Sequence, residues 1–453
     1  MAGKAAEQEM RQIATSLNAG TASERLAALR SIRAALDAGG LARPERTAFT
    51  NNHIHTTYSF SCYSPAAAAF KAYMSGLSAA GLMDHDSISG AREFIEAGDI
   101  IGITTTIGVE VRVSFAGIGY EGRVVNNPDE PTSAYIALHG VPHDKIGELD
   151  ALLSRIRLER NRRNEAQLGR LNAILLPFGM KLDFERDVLP VSMAAEGGSV
   201  TERHMLFALA KRLIERYGRG PGLVGFLESG LAIGLSERMR ASLLDEDRPA
   251  PGASALDAPG YDAHGYDMYS FDVLNVLKSG LVPRFFIAGG KDSLPVREMV
   301  DFARGIGAIP TYCYLGDVAD SPTGDKRAQK FEDGFLGELI PVLKQAGFEA
   351  VAYMPTRNTK EQLQRVMALC RQHGFMEISG EDINQPRQSF VCEKLREPEF
   401  AHLIDSTWAL VAHEWLAGQN PDDGIYSRKT KLRLPMIEDR IAEYRDIGLR
   451  YRK

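Results

Sequence analysis

The chain predicts an α/β fold built on a parallel sheet or barrel. Two observations carry this. From residue 47 to about 145, and again after 283, short apolar runs alternate with stretches of helical periodicity. In addition, three consecutive predicted strands end in polar residues with metal-binding or acid–base chemistry: His53-Ile54-His55, Asp84-His85-Asp86 and Glu110. In parallel α/β folds the ligand site lies beyond the C-terminal strand ends. Three such ends in succession make a constellation, where scattered polar loop residues would be the bland alternative.

Bulk properties narrow the function classes. The 453 residues suffice for two or three domains, or for one barrel with insertions. With 44% apolar and 25% charged residues, the composition is that of a soluble globular protein. A net charge of -6 weighs against nucleic acid as a stable partner. The cysteines at 62, 313, 370 and 392 are far apart and form no C-x-x-C. This argues against a zinc ribbon or a disulfide framework and fits a reducing cytoplasm. The N-terminal stretch has no apolar signal-peptide core, and no run of 18 apolar residues exists, so a cytoplasmic chain with no membrane span is expected.

In chain order, 1–45 predicts two helices broken at Asn18-Ala19-Gly20, with Ser23 as a modest cap, laid as an appendage on the main domain. Residues 46–395 carry the alternating pattern. The first strand, 46–51, leads into His53 and His55, whose i, i+2 spacing puts both on one side of an extended chain. On its own H-x-H is a weak signal, and two unrelated histidines explain it as well. Pro65 opens an Ala-rich helix at 66–75. A strand at 77–83, a helix with Ala91, Phe94, Ile95 and Ala97 on one face, and a strand at 100–107 bring the chain to Glu110.

A strand at 135–139 precedes an insertion of about 146–283. It begins with a long helix, 146–175, whose run from Arg155 to Arg163 reads as a solvated, salt-laced face. Thr201 caps a helix at 205–216 and puts Arg203 and His204 at its start. The Pro/Gly/Tyr-rich stretch 245–270 predicts a loop whose tyrosines could line a pocket. Helices at 295–305, 332–346 and 360–372 then alternate with strands at 308–314, 349–354 and 375–378. The last strand leads to Ser379-Gly380-Glu381-Asp382-Ile383-Asn384. Residues 396–453 predict a helical extension packed on the barrel or on a second subunit, so a homo-oligomer stays open.

Taken together, His53-x-His55-Thr56 with Ser59, Asp84-His85-Asp86 with Gly90, Gly108-Val109-Glu110 and Ser379-Gly380-Glu381-Asp382 resemble the PHP (polymerase and histidinol phosphatase) superfamily of metal-dependent phosphoesterases. The likeness covers roughly 47–395. It implies a distorted (β/α)7 TIM-like barrel, with helical extensions outside it, and up to three ions of Mn, Fe or Zn. Carried over, it implies one complete metal site: His53, His55, Glu110 and Asp382. The chain departs from the family at Phe60-Ser61, at Asn384, and where Tyr135 and Tyr314 stand in place of histidines; His139 is an alternative ligand by a shifted alignment. The expectation is therefore one divalent ion, with two or three as the alternative.

The resemblance further implies a metal-dependent hydrolase, a phosphoesterase acting on a small phosphorylated metabolite or nucleotide. His85 would orient substrate or shuttle a proton, Arg203 and His204 would hold an anionic group, and Tyr314 would donate a hydrogen bond or act as general acid. The tyrosine replacements leave two alternatives: a metal-dependent lyase or non-phosphate hydrolase on the same scaffold, and a non-catalytic ligand-binding descendant. The intact four-ligand set weighs against the last.

Overall fold

A computed structural model describes residues 12–13, 15–127, 130–245, 268–317 and 332–453. Its centre is a nearly closed seven-stranded barrel, ordered β1 (Thr50–Ile54), β2 (Ala79–His85), β3 (Thr104–Ser114), β4 (Ser133–His139), β6 (Ile309–Cys313), β7 (Ala350–Tyr353) and β8 (Met376–Ser379). A two-residue strand β5 (Leu294–Pro295) adds to the end of β3. The ring closes just past β8. His55 N–H donates to the Ile383 carbonyl at 2.9 Å, and Ile383 N–H donates to the His53 carbonyl at 3.0 Å. Closure therefore sets Asp382 beside the two histidines, although 326 residues lie between positions 55 and 382.

One strand departs from the parallel pattern. β4 runs antiparallel to both β3 and β6. Parallel strands need a crossover, usually a helix; among its described residues the connection 115–132 contains none, and the chain turns back on itself. The N-terminal end of β4 consequently joins the rim where the other strands end. Tyr135 pairs with Arg112 near that rim, while His139 pairs with Ile309 at the start of β6, toward the floor.

The N-terminal helix α1 (Ala22–Asp37) is capped by Thr21 in a capping box with Glu24, two residues earlier than the expected Ser23. It packs on α3 (Ala91–Ile101), where buried Arg25 reaches Glu93 with two bonds of 2.8 and 2.7 Å. Ahead of α3, α2 (Pro65–Met74) has Ser64 as N-cap and Pro65 at its first position. The strand expected at 100–107 starts later. α3 continues through Ile101 and stops at Gly102, whose φ of +88° is left-handed. β3 then runs long, so Glu110 lies within the strand rather than past its end.

The insertion is helical as expected, with α4 (Ile146–Leu175), α5 (Glu202–Tyr217) and α6 (Met268–Phe285). Residues 268–270, expected in the loop, form the first turn of α6. The rest of that loop, 246–267, lies outside the described residues, as does 318–331. α7 (Val296–Gly305), α8 (Leu336–Gln345) and α9 (Lys360–His373) supply the remaining crossovers.

The C-terminal extension closes the barrel's lower end. α10 (Ala401–Gln419) packs Ala409, Leu410 and Ala412 against Ile309, Ala350, Ala352, Met376 and Ile378, and α11 (Ile437–Gly448) covers α10. Thr407 hydrogen-bonds Asn52 at 2.8 Å and Thr50 at 2.9 Å, and the Glu414 carboxylate accepts from Ile107 N–H at 2.8 Å. Among the described residues the floor is plugged, and a cavity opens at the upper rim. Among the described residues no helix is long and apolar enough to cross a membrane.

Candidate metal centre

The site starts at the turn after β1. The buried Asp84 carboxylate accepts from Thr56 N–H at 2.6 Å, Thr56 Oγ1 at 2.5 Å and Ser59 Oγ at 2.7 Å. Having given its proton to Asp84, the Ser59 oxygen can accept from His55 Nδ1, 3.4 Å away. That contact selects the tautomer of His55 and leaves the Nε2 lone pair facing inward. Asp84 is thus a support beneath the site.

Five side chains converge above it. His55 Nε2 lies 3.2 Å from Asp382 Oδ1 and 3.9 Å from Glu110 Oε2. The same Glu110 oxygen is 3.7 Å from His53 Nε2 and 3.0 Å from His85 Nδ1. The His55 and His85 rings stack at 4.6 Å, and His53 meets His55 edge-on at 5.0 Å. Two groups of donor atoms, His53/His55/Asp382 and His55/His85/Glu110, each fall within a 4.8 Å sphere of mutual distances and share His55. The four residues expected as ligands are brought together. His85, expected in a substrate-orienting role, sits among them.

Electrostatics match the donors to a cation. Burial would raise the Glu110 carboxyl, but His85, His53 and His55 outweigh it and hold it down at about 2. Asp382 is held well below the carboxylate range against burial by His55, His53 and Arg203. Burial pushes His85 down to about 3, against the opposing pull of Glu110 and Asp382. For His53, burial is overcome by Glu110 and Asp382, which raise it. Two ionised carboxylates facing three imidazoles form the mixed N/O set that suits Zn, Mn or Fe.

A cavity of about 610 Å³ opens over this cluster, walled by the barrel rim on one side and by α5 and α6 on the other. Arg203 lines it. Its Nη1 donates to Asn384 Oδ1 at 3.1 Å, and Asn384 Nδ2 donates to Asp382 Oδ1 at 2.8 Å. Asn384 therefore links a guanidinium to a donor carboxylate. Phe60 stands under Arg203 at 6.0 Å and packs edge-on against His204 at 5.0 Å, with Phe207 and Phe271 behind. An apolar ring fills that corner.

Two expected residues are placed otherwise. His204 does not line the cavity; its Nδ1 accepts from Thr201 N–H at 2.9 Å and completes the cap of α5. Tyr314 does line the cavity, but its hydroxyl donates to Asp333 Oδ1 at 2.5 Å. Burial and Asp333 push that phenol far above its usual range. Tyr135 is half-buried on the cavity wall, its ring 5.7 Å from His85, and burial pushes it up to about 12. His139 is buried deep in the cavity lining; among the described residues its Nε2 has no partner, and it belongs to neither donor group.

The arginine run divides between two faces of α4, with Arg155 and Arg162 exposed as expected and the other three buried. Arg157, Arg160 and Arg163 are 8%, 4% and 8% exposed. Their i, i+3, i+6 spacing puts them on one face of α4, the face that also buries Leu153, Ile156 and Leu171. That shared face was the available signal. Arg160 pairs with Asp86, which has a φ of +49°, and with Glu202 at 3.4 Å. Arg163 meets Glu202 at 3.0 Å and Asp292 at 2.9 Å; Arg112 of β3 shares Asp292 and reaches Glu130 at 3.4 Å. This ion network ties the insertion to β2 and β3.

No protein-family model matches this chain, and neither does any curated protein. Among solved structures it is similar to one described as a metal-dependent phosphoesterase from Bifidobacterium adolescentis, at 17% identity over 78% of this chain and 93% of that one, with a TM-score of 0.47. It is also similar to an amidohydrolase from Chromobacterium violaceum, described as having bound sulfate and no metal, at 18% identity over 76% and 90%, with a TM-score of 0.44.

Proposed function

We propose that this chain is a metal-dependent hydrolase of the PHP kind that cleaves a small anionic ester, with phosphoesters as the preferred class. The observation that carries this reading is the convergence of Glu110 Oε2 and Asp382 Oδ1 on three imidazoles, at 3.0 to 3.9 Å, on the floor of an otherwise open cavity. His53, His55, Glu110 and Asp382 would hold one divalent ion, with His85 as a fifth donor. Such an ion supplies Lewis acidity toward an ester oxygen and toward water.

The chain's own groups supply the rest. Arg203 would bind the substrate's anionic oxygens, as the planar guanidinium suits phosphate and carboxylate alike. Its link through Asn384 to Asp382 sets the distance between the bound anion and the ion-holding carboxylate. Phe60, Val282 and Phe286 offer an apolar wall for the remainder of the substrate. His204 and Tyr314 have no part in this scheme, since both polar atoms are committed elsewhere.

One ion gives a weaker phosphate clamp than two or three. Phe60, Asn384, Tyr135 and Tyr314 supply no imidazole or carboxylate, and this favours a second reading, a non-phosphate ester or amide as substrate. Elemental analysis of protein purified without added metal, followed by a phosphate-release screen on that sample, tests the choice. About one ion per chain with phosphate release is expected. One ion with no phosphate released from any monoester would favour the non-phosphate substrate, and absence of any bound divalent ion would overturn the proposal.

A further inference from the structure

We propose that Tyr135 is a catalytic residue of this site, whose phenol hydrogen-bonds the substrate oxygen on which charge builds as the ester bond breaks. The inference rests on the hydrolase reading above. It adds a group that neither the motif pattern nor the donor cluster assigns.

Position is the first argument. Because β4 runs antiparallel, Tyr135 is directly opposite Arg112 on β3, and Arg112 is two residues beyond Glu110. Side chains two apart on a strand share a face, so Tyr135 stands one layer above the Glu110 carboxylate, looking into the barrel mouth. Its ring is 5.7 Å from that of His85, and the residue lines the cavity. A substrate oxygen drawn to the donor cluster would arrive beside this hydroxyl.

The second argument is a contrast among tyrosines. Tyr312, Tyr314 and Tyr353, on the neighbouring strand ends, each give their O–H to a carboxylate: Glu332, Asp333 and Glu377 respectively. Their protons are spent within the protein. The Tyr135 hydroxyl makes no hydrogen bond among the described residues. It is the rim phenol left with a proton to donate.

Third, the donor is held in place. Asn126 brackets the residue, accepting from Tyr135 N–H at 2.9 Å and donating to its carbonyl at 2.7 Å; the same amide also donates to the Cys313 carbonyl at 2.7 Å. Arg112 and Arg160 flank the ring, and each is already bound to carboxylates, so neither has to move when substrate binds. A fixed donor beside fixed positive charge needs no reorganisation when negative charge appears, which is how such groups lower a barrier.

The test uses metal-loaded protein and inorganic phosphate as probe. Calorimetric titration should show Tyr135→Phe binding phosphate about tenfold more weakly than wild type, the loss of one hydrogen bond to a charged acceptor. Tyr314→Phe, which removes a hydroxyl already held by Asp333, should bind as wild type. In turnover, Tyr135→Phe should lower kcat about 100-fold on an alkyl phosphate and less on 4-nitrophenyl phosphate, whose leaving group needs no help. Equal phosphate affinity for wild type and Tyr135→Phe, or an equal fall in both tyrosine variants, would overturn the proposal. Tyr135→Met, of similar bulk, repeats the measurement should the Phe variant fold poorly. Wild-type protein that turns over no ester at all would instead bring down the hydrolase reading.

Discussion

Asp382 and Ser59 make the residue-scale case for a metal centre. Asp382 is one of two ionised carboxylates on the cluster and lies 3.2 Å from His55 Nε2. Asp382→Ala should therefore abolish stoichiometric metal binding, read by elemental analysis after gel filtration. Ser59 touches the cluster only through His55 Nδ1 and Asp84. Ser59→Ala should leave the fold intact and weaken metal binding about 10- to 100-fold, the usual effect of losing an orienting partner. Acid should oppose binding as well. His53 is raised by Glu110 and Asp382, so its proton competes with the ion, and protonation increases as pH falls. Metal affinity measured by chelator competition should stay level at alkaline pH. It should fall by about tenfold per unit once the pH drops below the raised His53 value. An affinity independent of pH from 8 to 5 would remove His53 from the ligand set.

At the scale of elements, two junctions hold the cluster in register. Gly380 follows β8 where the ring closes on β1. A Cβ built there would stand 2.6 Å from His53 Cβ and 2.7 Å from His53 N, distances no real pair of atoms tolerates. Gly380→Ala should push the two strand ends apart, costing about 2 kcal/mol and weakening metal binding in the same variant. Urea titration and elemental analysis would show both. The second junction is the ion network under α4. Arg160→Met would leave the Asp86 carboxylate, with a side chain 4% exposed, without its ion-pair partner on that helix. Removing one partner of a buried pair costs about 3–5 kcal/mol, so a large drop in urea midpoint is expected. A drop under 1 kcal/mol would mean that the network is dispensable for docking the insertion.

For the whole molecule, α10 is the part that plugs the lower end of the ring of strands. Its Glu414 is buried beneath the barrel, accepting from Ile107 N–H and lying 3.3 Å from His143 Nε2. Burial raises this carboxyl to about 7, only partly offset by His143. A carboxyl raised on folding favours its protonated form, so its contribution is present below its ordinary value of 4.5 and is lost as pH rises through about 7. Glu414→Gln keeps an acceptor for Ile107 without the charge. It should melt close to wild type at pH 5 and be more stable at pH 8, by up to about 3 kcal/mol. Equal melting temperatures at pH 8 would show that His143 fully compensates the ionised form.

Much of this architecture was legible in the chain itself. The alternation of strand and helix and the bounds of α4 to the residue follow from periods of two and 3.6, which are local properties, whereas the candidate donors His53, His55, Glu110 and Asp382 come from the resemblance to the PHP superfamily. What only the tertiary structure decided depends on partners distant in sequence. The reversal of β4 goes with a connection that shows no helix among its described residues, and it is what brings Tyr135 to the rim. Arg160 is buried because Asp86, 74 residues away, waits for it, and no periodicity carries that information. A helix cap takes up the His204 Nδ1 and Asp333 takes up the Tyr314 hydroxyl. The sequence by itself determined which chemistry is present and at which strand ends. The fold decided which polar atoms remain uncommitted after packing, because a side chain can act on a ligand only with the hydrogen bonds that its neighbours have not already taken.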